Sequence, residues 1–458
     1  LALWRRRLFE PFDLYRRAAR QGLDSRNPVV VIPGVMGSRL SHPSTGHCYW
    51  GGQKAGFAKQ ELGEEARLIC HPVVPGKGLW EVEPLLRPDG VLRTLELRFG
   101  GIKMCMSTYA PILKMLGVGG YLEPNQKLGK KDLDYGAQAI GTCFEFPYDW
   151  RVSLDQNAAH LSDFIDTVRE FVAEERGDNQ DVKVDIVTHS MGGLLLRYYL
   201  RYGGEILRPD GSAPPLTWAG AAVTDHAIFC GTPNAGSMNA IKVMLEGLKA
   251  SPATPAFDAA VLGTLPAIYQ LMPRVRHAPA VLSTTGDVFD GLYDPDAWVE
   301  YGWGLGSKNA DDRLRLLLPD ESSPQARRKH GIEHLTKCLQ RAKAFHKSID
   351  SATDIQGDVS VYLFAGDRYP TPRQVMMTPN ETRLKVTDYG PGDKVVLRSS
   401  ALMDERECVD YPRLLSPLSW TGVTFLPGDH MGLTRDRAFV NSALWYLLEK
   451  PRGNGLEA

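Results

Sequence analysis

The sequence predicts an α/β fold, a mostly parallel sheet flanked by helices, and three observations carry that reading. NPVVVIPGVMG, residues 27–37, is a run of β-branched residues that ends in a glycine-bounded turn, as a buried strand feeding a loop requires. From residue 142 the pattern alternates strand, helix, strand, helix, an order that implies parallel βαβ units. THSMG, residues 188–192, falls where the second of those strands turns at once into a helix.

The elements follow in order. CFEFPYDWR is a short strand stopped by Pro147, and Leu161, Phe164, Ile165, Val168, Phe171 and Val172 then recur at helical spacing along one apolar face. Val182, Val184 and Ile186 alternate as a strand, and LLLRYYLRYG continues as helix. HAIFCGTPNAGS (226–237), VSVYLFAG (359–366) and GVTFLPGDH (422–430) supply further strands and turns.

Two stretches break this rhythm. Residues 41–101 are irregular, rich in Gly and Pro, and carry Tyr49, Trp50 and Phe57, which reads as a lid or binding loop. Residues 238–355 fall into helical pieces and aromatic loops, LPAIYQLMP and LYDPDAWVEYGWG among them, and read as an inserted cap. A long amphipathic helix is marked by Ile332, Leu335, Leu339, Ala342 and Phe345. The expected organisation is therefore an N-terminal helical extension (1–26), a sheet core in two parts (27–237 and 356–458), and the cap between them (238–355).

Composition narrows the function classes. A net charge of -1, from 53 basic and 54 acidic residues, provides no broad basic field, so nucleic acid is not an expected partner. No run approaches the roughly 18 consecutive apolar residues of a spanning helix, so a soluble body is expected. The N-terminal LALWRRRLFEPFDLYRRAAR begins without Met and lacks the apolar core of a signal peptide. It reads as a packed helix, with a basic amphipathic membrane-surface helix as the alternative. Seven cysteines leave at least one unpaired, and the compartment stays open.

Ser190 in THSMG is the candidate nucleophile. A serine hydroxyl attacks only when a base takes its proton and a third group orients that base. In α/β-hydrolases the three come in the order Ser, acid, His, each on a loop at the carboxyl end of a strand. Gly192 and Gly193 provide the small residues that the tight turn needs, whereas Thr188 adds a branched side chain where a glycine is usual. His430, in LPGDHMGL after the last strand, is the candidate base. His189 is expected to point away from Ser190 in a packing role, and His226 lies at the wrong end of its strand.

Two acids compete, Asp367 in LFAGDRYP directly after a strand and Asp393 in YGPGDKVVLRSS, and position barely separates them. Asp429, adjacent to His430, is expected to cap a loop. Oxyanion donors are expected from the backbone N–H of Met191, after the nucleophile, and of Val35, in the PGVMG loop.

PVVVIPGVMGSRL, FPYDWR, THSMGG, GTPNAGS, and YPTPR with GPGDKVVLRSS span most of the chain. With Ser190 and His430 they make it resemble the lecithin:cholesterol acyltransferase-like family, which includes lysosomal phospholipase A2 and bacterial relatives. The resemblance implies an α/β-hydrolase fold and the triad Ser190, Asp393 and His430, because Gly392, Asp393 and Val396 followed by Ser399 or Ser400 match the family's acid turn. It also implies Val35 and Met191 as oxyanion donors, and acyl transfer from a lipid ester to water or an alcohol. Residues 41–101 and the cap depart too far to carry substrate residues across.

The resemblance further suggests a lid disulfide between Cys48 and Cys70, although two thiols are the first expectation. A zinc site from His47, Cys48, Cys70 and His71 is the weakest of the three readings, since adjacent residues of an extended chain point to opposite sides. Trp50 is expected either over the acyl pocket, as lid aromatics lie, or as a loop anchor. The expected activity needs no metal or organic cofactor. Its partners are a lipid or other ester and, through the lid and the cap aromatics Trp298, Tyr301 and Trp303, a lipid surface. A soluble small-ester or polyester hydrolase and a catalytically inactive binding protein are the alternatives.

Overall fold

Every strand predicted for the core joins one sheet. In the computed structural model these are β1 (Val29–Ile32), β2 (Cys143–Glu145), β3 (Val184–His189), β4 (Thr224–Cys230), β5 (Ser360–Gly366) and β6 (Gly422–Leu426). Their spatial order is β6-β5-β4-β3-β1-β2 and each neighbouring pair is parallel. The register aligns Val31 with Val187, Val187 with Ile228, and Ile228 with Tyr362. The structure describes residues 26–51, 64–99, 102–121, 142–177, 181–248, 258–379, 381, 383–406 and 416–448. The N-terminal extension expected over residues 1–26 lies outside them, apart from Arg26.

Alternation divides the core into two layers. Val30, Ile32, Ile186, Phe229 and Leu363 face one side, where α2 (Leu154–Arg176), α3 (Met191–Tyr202) and α4 (Pro324–Asp350) contribute Leu161, Ile165, Leu195 and Phe345. Val29, Val31, Val187, Ile228 and Phe364 face the other, covered by α1 (Ala110–Val118) and α5 (Arg437–Leu448) through Ile112, Leu116, Phe439 and Leu444. With both faces covered, VVVI is an unbroken apolar run instead of an alternating one.

The expectation of an irregular chain over residues 41–101 is corrected. Ser38–Ser41 pairs antiparallel with both Cys48–Trp50 and Arg87–Val91, Glu64–Ile69 is helical, and Thr94–Phe99 pairs with Ile102–Ser107. Short strands that contain Pro88 and Gly90 cannot show a periodic pattern. Phe57 lies outside the described residues.

FPYDWR holds this region to the sheet. Arg151 grips Asp149 through two nitrogens and donates to the carbonyls of Leu68 and Leu86, while the Trp150 indole and the Tyr148 amide donate to Ser38. The motif therefore clamps the chain that leaves the β1 loop.

Residues 238–355 are mainly helical pieces ending in α4. Trp298 and Trp303 are each 1% exposed and lie edge-to-face, with Tyr301 and Phe289 packed on Trp303. These rings join the same hydrophobic core as one face of the sheet and do not present an aromatic face to solvent. A further small sheet, absent from the sequence reading, sets Ala280–Leu282 beside Tyr369–Met377 and pairs the latter antiparallel with Lys385–Gly392. Among the described residues no helix is long and apolar enough to cross a membrane.

Candidate active site

β3 ends at His189 and α3 begins at Met191, so Ser190 alone makes the turn, with φ 55° and ψ -125°. A side chain bears such a conformation only where its surroundings fix it. Here the Ser190 amide donates to the Cys230 carbonyl at 2.9 Å and the Ser190 carbonyl accepts from Gly193 at 3.0 Å. Space is short beyond the serine: a Cβ on Gly192 would come within 2.4 Å of the Pro33 carbonyl oxygen, and one on Gly193 within 2.0 Å of Thr232 Oγ1. Thr188 is still within the strand, paired with Phe229, and its buried hydroxyl donates to the Ile228 carbonyl at 3.1 Å. The branched residue fits because the crowding begins after the serine.

His430 Nε2 lies 2.9 Å from Ser190 Oγ, and His430 Nδ1 lies 2.8 Å from Asp393 Oδ2. The second carboxylate oxygen, Oδ1, accepts from the amides of Val395 at 2.9 Å and Val396 at 2.6 Å. Burial works against the charged carboxylate, but His430 and these two amides outweigh it and hold the carboxyl below its ordinary range. The imidazole packs on Gly231, where an added Cβ would stand 3.3 Å from Nδ1.

The competition between the two acids has a structural origin. After β5 the chain passes Asp367, runs out and back through the Tyr369–Met377 and Lys385–Gly392 hairpin, and returns to the same sheet end at Asp393. An added Cβ on Gly366 would lie 2.5 Å from Asp393 Cβ. Both acids therefore sit beside one strand terminus, and it is Asp393 whose oxygen meets His430. Asp429 caps its own loop by accepting from the Gly432 amide at 3.0 Å and pairs with Lys394 at 3.2 Å.

Met191 is the first residue of α3, where backbone N–H groups have no partner within the helix. Across from it, the Gly34 carbonyl accepts from the Gly37 amide at 3.0 Å. In a trans peptide this directs the Val35 N–H the opposite way.

Trp50 is buried and 5% exposed. Its indole donates to the Met36 carbonyl at 2.9 Å and lies edge-to-face on Trp150 at 5.7 Å, contacts that fit the expected loop anchor. Met36 itself has φ 59°, and Trp50 fastens that strained residue. Trp50→Phe, which keeps a ring but loses the donor, should slow a soluble acetate ester and a micellar medium-chain ester by the same factor, about tenfold or less. Parallel kcat measurements on the two substrates check this, and a selective loss on micelles would restore the surface role.

Sequence reasoning missed Tyr109 and understated His189. The Tyr109 hydroxyl accepts from the Gly34 amide at 2.7 Å and lies 3.3 Å from His189 Nδ1, while His189 Nε2 lies 3.0 Å from the His430 carbonyl oxygen. Tyr109 carried no signal in the sequence, because it reaches Gly34 only through the packing of the segment that leads into α1.

The suggested Cys48 and Cys70 bridge is absent, and both are thiols. The Cys48 thiol donates to the Trp50 carbonyl at 3.0 Å, and burial pushes the Cys70 thiol up to about 12. Among the described residues the group able to hold a metal ion is instead Asp185, Asp225 and His226, at the amino ends of β3 and β4, away from Ser190. Asn27 donates to both of these acids, and His226 Nδ1 lies 2.9 Å from Asp185. A cavity of about 1040 Å³ is lined by Trp80, Asp210, Lys337, Arg341 and Lys347 and by none of the candidate residues.

Residues 126–401, more than half of the chain, match the family model described as lecithin:cholesterol acyltransferase. The chain belongs to the lecithin:cholesterol acyltransferase family. The matched segment of this family member contains Ser190 and Asp393, and His430 follows it. Among solved structures, a chain of the Tle4-Tli4 complex superposes with a TM-score of 0.52 at 15% identity, covering 93% of this chain and 98% of that one. That likeness supports the α/β-hydrolase fold. An acetylester hydrolase from Corynebacterium glutamicum aligns over 92% of this chain and 85% of its own, at 10% identity and a TM-score of 0.24, too low to bear on the fold. No curated protein matches the sequence of this family member.

Proposed function

We propose that the protein is a serine acyl hydrolase or O-acyltransferase that works on a lipid ester through an acyl-enzyme on Ser190. The observation that carries this reading is the unbroken series of contacts from Asp393 through His430 to Ser190 Oγ. In the proposed reaction His430 Nε2 takes the hydroxyl proton as Oγ attacks the ester carbon. The Val35 and Met191 amides receive the negative charge that forms on the carbonyl oxygen. The tetrahedral species collapses, the alkoxide leaves with the proton from His430, and the acyl group remains on Ser190. Water or an alcohol then gives its proton to His430 and attacks the acyl carbon, and the proton returns to Ser190. Asp393 stays ionised throughout, held by the two amides and by His430.

Lipid as the substrate class is supported by family membership. A soluble ester is the second reading, favoured by the burial of Trp50, Trp298 and Trp303, which leaves those rings no surface to insert into lipid. Profiling p-nitrophenyl esters of increasing chain length below and above their micellar concentration, then phospholipid vesicles, separates the two. A lipid enzyme gains turnover on aggregated substrate, and a flat response assigns it to soluble esters. Mass spectrometry of the quenched reaction should show the acyl adduct on Ser190. No adduct and no turnover on any ester would leave a binding protein.

A further inference from the structure

His189 takes no proton in the reaction proposed above, yet it is buried beside the nucleophile with both ring nitrogens engaged. The polarity of these contacts is fixed at their ends. The Gly34 amide can only donate and the His430 carbonyl can only accept. Tyr109 therefore receives the Gly34 N–H at its oxygen and gives its own proton to His189 Nδ1, and His189 Nε2–H donates to the His430 carbonyl. One neutral tautomer satisfies every member of the series. Burial, with His430 nearby, pushes the imidazole down to about 3, consistent with that neutral form.

Each end of the series meets a different part of the site. At one end, Gly34 is held from both sides: Tyr109 accepts from its N–H, in the Pro33–Gly34 peptide, and the Gly37 amide donates to its carbonyl, in the Gly34–Val35 peptide, which directs the Val35 N–H. At the other, the His430 backbone is held on both sides, since its amide donates to the Asp393 carbonyl at 3.0 Å while His189 holds its own carbonyl. The rings of His189 and His430 lie 4.8 Å apart.

We propose that Tyr109 and His189 form a positioning relay that sets the oxyanion loop and the base from one shared network. The relay rests on the reading that Ser190 and His430 carry the chemistry and Val35 stabilises the oxyanion. Neither Tyr109 nor His189 meets the reacting atoms; each acts by fixing the backbone of a residue that does.

The test is a kcat and KM comparison of Tyr109→Phe, His189→Leu and His189→Gln with Ser190→Ala alongside, on a soluble ester. Tyr109→Phe keeps the ring and loses the hydroxyl, and kcat should fall about 10- to 100-fold with KM within a factor of about two, below the loss seen when a direct oxyanion donor is removed. His189→Leu should fall at least as far, and His189→Gln, whose amide N–H can still reach the His430 carbonyl, should recover much of the loss. Unchanged kcat in Tyr109→Phe and His189→Leu overturns the relay while Ser190→Ala, if inactive, preserves the triad. An active Ser190→Ala overturns the triad itself. If His189→Leu does not fold, Tyr109→Phe decides. A fall in kcat matched by loss of folded protein, with no recovery in His189→Gln, makes the pair a packing element and overturns the proposal.

Discussion

Ser190→Ala is expected to lower ester turnover by about 10⁶-fold, the scale of removing the nucleophile from a catalytic triad, and to leave the melting temperature nearly unchanged. The atom lost is the one 2.9 Å from His430 Nε2, and the bonds that hold the turn belong to the Ser190 backbone. Alanine keeps a Cβ, so the strain at φ 55° is the same in both proteins. A fluorophosphonate probe should label Ser190 in the wild type and nothing in the variant. Labelling that persists in the variant would move the nucleophile elsewhere. His430→Ala should lose about as much, and the double variant no more, because members of one catalytic unit are not additive.

Ser190 and His430 were legible because each lies just beyond a strand whose composition announces it. A strand buried on both faces can read as an apolar run, as β1 does, while β3 shows as the alternation of Val182, Val184 and Ile186 and β4 as the short apolar stretch Ala227–Cys230. The hairpin that carries Asp393 is different. Its first strand, YPTPRQVMM, holds Pro370 and Pro372, which read as strand breakers, and it tolerates them with an irregular register between Pro372 and Gln374. Sequence position therefore left Asp367 and Asp393 level, and family resemblance, not spacing, favoured Asp393. Trp50 and the rings at 298–303 were ambiguous in another way: aromatic residues in an irregular stretch fit a surface lid as well as a buried core, and only packing distinguishes these. Tyr109 was out of reach, since its partner Gly34 is 75 residues away and the contact exists only once α1 is placed.

Asp393→Asn should lower kcat by about 10⁴, the cost of neutralising a triad acid, whereas Asp367→Asn should cost less than about tenfold. The two variants remove the same charge from the same end of β5, so the difference isolates contact with the base. Asn at 393 retains one oxygen, and the Val395 and Val396 amides that now hold Asp393 Oδ1 will claim it. The side-chain NH₂ then faces His430 Nδ1, which must become an acceptor, and the ring proton moves to Nε2. A protonated Nε2 cannot take the Ser190 proton, so the wrong tautomer stops the reaction with the geometry intact. A stability effect should accompany it, with a definite sign. A carboxyl lowered on folding contributes stability above its unfolded value, near 3.8 for this group, and loses it as pH falls through the lower folded value. Wild type should therefore unfold at a higher temperature than Asp393→Asn at neutral pH, with the gap closing below about pH 4. Kinetics of the two variants, with melting curves for Asp393→Asn at neutral and acid pH, check both statements, and a larger kcat loss in Asp367→Asn would transfer the orienting role to the acid at the strand end.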